Sequence, residues 1–175
     1  MIKYSRPYLA IGIIFCSVQS YAADGTVTFT GAINGGTCEV TTSNVQVALP
    51  TVQADTLKTD GATAGDTRFD IRLTRCDPQI SNGVRAAFAS NTHLDPATGN
   101  LTIEQGDGDA DNVEIGLRNL DYTAINIGDP TAAHAFPINQ DGNAKLTYIA
   151  QYVATGGAAV MGTVKTNAIF TLNYQ

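Results

Sequence analysis

Apolar and polar residues alternate along most of this chain, and the period is two. Val45, Val47 and Leu49 stand at alternate positions before Pro50, and Phe69, Ile71 and Leu73 alternate with Asp70, Arg72 and Thr74 just ahead of Cys76. Further runs follow at Val84, Ala86 and Phe88, at Val113, Ile115 and Leu117, and at Leu146, Tyr148, Ala150 and Tyr152, each set apart by Gly, Asn, Asp or Pro clusters. Such runs predict turn-punctuated antiparallel strands. No window holds apolar residues at the spacing of a helix face for long enough to predict one. Residues 51–66 lack periodicity and residues 106–112 are acidic and Gly-rich, so both are expected to be surface loops.

The two ends carry the strongest alternation. In residues 25–33, Gly25, Val27, Phe29, Gly31 and Ile33 share one face, with Thr26, Thr28, Thr30 and Ala32 on the other. In residues 162–175, Val164, Ala168, Phe170, Leu172 and Tyr174 share a face while Lys165, Asn167, Thr171 and Asn173 oppose them. A strand this apolar needs a neighbour on both sides, and a chain that stops inside it cannot turn back to supply one. Another segment is expected to cover that edge.

An export signal precedes all of this. Lys3 and Arg6 lead into an apolar run at residues 9–15, and Ser20 and Ala22 supply small residues for cleavage after Ala22, so residues 1–22 are expected to be removed. The run is too short to span a bilayer, and no later stretch approaches the roughly 20 apolar residues that a transmembrane helix needs. Cleavage would take Lys3 and Arg6 away and leave 8 basic against 16 acidic side chains, a net charge of about −8. That balance argues against a nucleic-acid partner.

Of three cysteines, Cys16 would leave with the signal, so Cys38 and Cys76 remain in a compartment that permits disulfides. One bridge is expected between them. Two thiols without a nearby His or third Cys lack the ligands of a closed zinc site. A bridge would close a loop of 39 residues, counting both ends, worth about 4 kcal/mol in the chain-entropy model. Many short strands, one bridge and about 150 residues favour an immunoglobulin-like β-sandwich over a barrel.

Chemistry for catalysis is sparse. Asp107, Asp109 and Asp111 begin a calcium-loop pattern, but Asn112 stands where the sharp-turn glycine belongs and Arg118 where the bidentate Glu is required. The expectation is a solvated acidic loop and no metal. His93 and His134 lie in no nucleophile or metal motif, no glycine-rich phosphate loop follows a strand, and no cofactor or enzyme activity is expected.

Gly162 is fourteenth from the end and Tyr174 is penultimate, and the Gly25-x-Val27-x-Phe29-x-Gly31 pattern, Cys38 and the strand leading to Cys76 join them. In these features the chain resembles the chaperone-usher pilins, the family of type 1 fimbrial major and adaptor subunits. The resemblance implies an incomplete immunoglobulin-like sandwich of six strands, lacking its seventh, with residues 36–175 as the pilin domain and residues 23–35 as a donor-strand extension. It also implies partners: a periplasmic pilus chaperone, an outer-membrane usher, and other pilin subunits, whether copies of this chain, a tip adaptor or an adhesin. The chaperone would pair with the strand formed by Gly162, Val164, Ala168, Phe170, Leu172, Tyr174 and Gln175, anchoring the terminal carboxylate, before a neighbour's extension replaces it. This strand-addition mechanism is a known mode of peptide recognition. Val27, Phe29 and Ile33 would plug the groove, together contributing up to about 5 to 9 kcal/mol.

The implied function is a structural fimbrial subunit, exported through the periplasm to the cell surface, that polymerises by donor-strand exchange and supports adhesion. Two alternatives are a carbohydrate-binding fimbrial adhesin and a self-contained secreted immunoglobulin-like binding module. An adhesin would need a separate receptor-binding domain, for which 153 residues leave little room.

Overall fold

Each alternating run found in the sequence has one apolar face, and two such faces bury each other when sheets stack. The computed structural model describes residues 38–174, which form this arrangement. Seven strands appear among the described residues: β1 (Glu39–Val40), β2 (Thr63–Thr74), β3 (Val84–Ala89), β4 (Val113–Arg118), β5 (Ala124–Ile125), β6 (Ala144–Ala154) and β7 (Ile169–Tyr174). Five of them form one antiparallel sheet in the order β1-β2-β6-β4-β5, and β3 pairs with β7 in a second. The expected signal at residues 1–22, the expected extension at residues 23–35 and Gln175 lie outside the described residues.

Between the sheets, Ile71 and Leu73 of β2, Ile115 and Leu117 of β4, Leu146 and Tyr148 of β6, and Val84, Ala86 and Phe88 of β3 form the core. Tyr148 is wholly buried at its centre. Its ring centroid lies 5.3 Å from that of Phe88, 5.5 Å from Phe136 and 6.0 Å from Phe69, the first two edge-to-face. Its hydroxyl accepts the Ala86 N–H at 3.0 Å and points its own proton at the His134 carbonyl, 3.4 Å away. One side chain thus fills the core and satisfies a backbone donor on β3.

The bridge between Cys38 and Cys76 is present, and it joins the chain just before β1 to the chain just after β2. At the same end, Arg75 pairs with Glu39 at 2.9 Å, and the Cys76 N–H is accepted by the Gly142 carbonyl.

Three expectations need correction. β2 begins at Thr63, inside the segment expected to be a loop, and a single 3-10 turn at Ala54–Leu57 precedes it. The alternation is broken there by a register shift between Ala64 and Thr67, where Gly65 adopts a positive φ of 74°, so a test for strict period two fails on a strand that is real. Residues 45–49 keep their alternating burial yet form no ladder, because among the described residues none of their backbone groups pairs with another backbone group. The C-terminal strand pairs with β3 only over Ile169–Tyr174, because β3 ends at Ala89 opposite Ile169.

Replacing Tyr148 by Phe should lower stability by about 1 to 3 kcal/mol, because the Ala86 N–H would be left buried without an acceptor. Burial pushes the Tyr148 phenol up to about 12, above the value near 10 expected for an unfolded chain. The folded state therefore holds its proton where the unfolded state has released it, so stability should fall as pH rises from about 10 to about 12. Denaturant titrations of the two proteins across that range should show a shallower fall for Tyr148→Phe.

Candidate functional site

Sheets end in edges, and an edge exposes a row of unpaired N–H and C=O groups that must find partners. The outer edge of β3 is closed piece by piece. Val84 exchanges hydrogen bonds with Phe136 at 2.9 and 2.8 Å, the Ala86 N–H goes to Tyr148, and the Phe88 carbonyl accepts from the Gly128 N–H at 2.8 Å. On the outer side of β4 in the larger sheet, Leu101 does the same for Ile115, with both bonds at 2.9 Å.

The second edge of the smaller sheet is different. Beyond β7, on the side away from β3, no described strand pairs with it. What lies there is a groove of about 820 Å3. One wall is residues 164–170, the other is residues 43–49, and the floor is Phe69, Ile71, Phe88, Leu101, Ile115, Leu117, Ala150 and Tyr152. Side chains that the alternation turns inward, Val45, Val47 and Leu49 on one wall and Val164 and Phe170 on the other, are only half-buried although they pack on the core. The sandwich parts here, and its apolar interior is open to whatever enters.

The C-terminal wall is held by residues 102–110, which run into the loop expected to be acidic and solvated. The Thr163 N–H goes to the Gly108 carbonyl at 2.9 Å and the Ala110 N–H to the Thr163 carbonyl at 2.8 Å. The Glu104 N–H goes to the Lys165 carbonyl at 2.8 Å, Lys165 pairs with Glu104 at 3.1 Å, and the Thr166 hydroxyl donates to the Thr102 carbonyl at 2.7 Å. The Thr163 hydroxyl also donates to the Asp109 carboxylate, so that acid already has a partner. Among the described residues no group of three or more His, Cys, Asp or Glu side chains could hold a metal.

The residues singled out at this end divide by role. Val164, Ala168 and Phe170 line the groove, and Ala168 is exposed there rather than covered, because the wall has no strand beyond it among the described residues. Leu172 and Tyr174 pack on the core beside Val84 and Ala86. The Tyr174 hydroxyl accepts the Cys38 N–H at 2.9 Å, tying the last strand to the disulfide. Gly162 lies outside the groove, where the chain crosses the acidic loop so closely that a Cβ would fall 2.2 Å from the Asp109 carbonyl carbon and 2.3 Å from the Ala110 nitrogen. Close approach, and not a positive φ, is what requires glycine here.

Sequence reasoning found one wall and missed the other. Residues 45–49 were legible as alternating, but nothing in them marks a strand left without a partner. The floor residues Ile115 and Leu117 read as part of an ordinary alternating strand.

Residues 49–175 match the family described as Type-1 fimbrial protein, A. The chain is 40% identical to the F17 fimbrial protein of Escherichia coli, over 94% of this chain and 96% of that one. It is 35% identical to the major fimbrial subunit SMF-1 of Stenotrophomonas maltophilia, over 88% and 94%. A chain from a chaperone-usher pilus structure superimposes with a TM-score of 0.60 at 21% identity, covering 91% of this chain and all of that one, which is a likeness of fold.

Replacing Gly162 by Ala should force residues 160–166 away from the 108–110 backbone at a cost of about 1 to 3 kcal/mol. Hydrogen exchange should then quicken at the Thr163 and Ala110 amides while that of Tyr148 stays slow.

Proposed function

The chain belongs to the type-1 fimbrial protein family and is a structural pilus subunit of the cell surface, and on that premise we propose that it polymerises by donor-strand exchange. Residues 25–33 of one copy would lie in the groove of the next, pairing their backbone with β7 and its upstream wall. Val27, Phe29 and Ile33 would project at alternate positions onto the floor, where a period of two matches a groove lined by alternating strands. Gly31 would pass wherever the floor rises.

The observation that carries this reading is the asymmetry of the small sheet. The edge of β3 has its partners within the chain, while the edge of β7 faces an apolar groove walled by a second extended segment whose backbone pairs with nothing described. Before assembly, a periplasmic chaperone would fill the same groove, and an outer-membrane usher would exchange it for the neighbour's extension. The subunit acts by assembly and attachment, without enzymatic chemistry. Its relatives are named as fimbrial subunits.

Deleting residues 23–33 should give a subunit that accepts a neighbour but donates nothing, so that adding it to full-length protein shortens fibres in proportion to its share. Electron microscopy and gel ladders read the result, and long fibres from the deletion variant alone would refute the assignment. Replacing Phe170 and Tyr174 by Ser should lower the periplasmic level of the subunit several-fold, because Phe170 lines the groove and Tyr174 holds Cys38. Undiminished monomer in cells lacking any pilus chaperone would count against it.

A further inference from the structure

Resting on the strand-exchange reading, we infer that Val160 and Met161 form the seat on which the body of the arm-donating neighbour lands, a second contact between consecutive subunits beyond the groove. Met161 is 84% exposed and Val160 51%, adjacent large apolar side chains on a surface where such groups usually stand singly. They are also held firmly. Val160 exchanges hydrogen bonds with Asp111 at 2.9 and 3.3 Å, Thr163 is bonded on both sides to residues 108 and 110, and Gly162 is pressed against the 109–110 backbone. The backbone that presents them is already fixed, so a partner that covers the tip has only their side chains left to order.

Position selects the occupant. The disulfide, β1 and Tyr174 lie at one end of the sandwich, since Glu39 faces Thr74, Leu73 faces Ala144, and Tyr174 reaches Cys38. Val160 lies at the other end, bridged to Asp111 beside Val113, which faces Ala154. The subunit's own extension departs from Cys38, at the disulfide end. In a head-to-tail fibre the donating and accepting patches are different surfaces, and with the donating one at the disulfide end the incoming body is placed at the end of Val160. The incoming arm then runs antiparallel to β7, with its Ile33 near Val164. Only residues 34–37 separate Ile33 from Cys38, and five residue steps reach about 18 Å at most. The donor's disulfide end is therefore drawn down onto the acceptor's Val160–Met161 tip, three residues from the groove wall at Val164.

Met161 reports on this contact without any mutation, because the only other methionine is Met1, in the segment expected to be removed. Peroxide oxidation of Met161, followed by peptide mass spectrometry, should be compared between fibres of the mature chain and mature chain held monomeric by excess synthetic peptide of residues 23–35. The expected result is oxidation about ten-fold slower in fibres, since an exposed thioether reacts and a covered one is shielded. Equal rates, with the peptide still capping growth, would overturn the seat and leave strand exchange standing. A peptide that neither binds nor stops growth would overturn strand exchange and the seat with it. As a second measure, Met161→Glu should leave peptide binding unchanged while cutting fibre yield several-fold, and a normal yield would refute the seat.

Discussion

Backbone hydrogen bonding governs this molecule more than any single side chain does. A sheet must end somewhere, and each terminal strand carries donors and acceptors that cost free energy if buried without partners. Along β3 the chain meets that demand internally, with Phe136, Gly128 and the Tyr148 hydroxyl supplying partners. Beside β7 it leaves an apolar groove between two extended walls. The same constraint explains why residues 45–49 alternate without forming a strand: their geometry is ready and the neighbour is missing among the described residues.

The strength of the closed part makes the open part usable. Tyr148 and the aromatic rings around it join the two sheets, and the disulfide fixes β1 against β2. The loop at residues 102–111 grips residues 160–166 by backbone bonds, so the groove wall keeps its line before β7 begins. With that wall already held, a guest strand that lies along it gives up its own freedom but little of the wall's.

Much of this was written in the sequence in recoverable form. Period two survives at Phe69, Ile71 and Leu73, at Val84, Ala86 and Phe88, and at Leu146, Tyr148 and Ala150, because those strands are regular and half of each faces the core. The start of β2 was hidden because Gly65 and Asp66 belong to a bulge that slips the register. The C-terminal wall was legible from Val164 to Tyr174, but Gly162 gave no hint that a distant loop crosses it, since that contact joins residues some fifty positions apart. Acidic residues 107–111 suggested a loop and concealed a clamp, because hydrogen bonds made by main-chain atoms leave no trace in residue identity.

The hydrogen bond from Cys38 to Tyr174 has a mechanical meaning in a filament assembled as proposed. Tension passed along the chain from the extension would reach Cys38 and divide there between the covalent link into β2 and the final residues of β7. Since ladder hydrogen bonds lie across the strands, a pull along the filament axis loads the guest strand's bonds together in shear and does not peel them one by one. Drag on an attached cell would then be borne collectively by every bond in the joint.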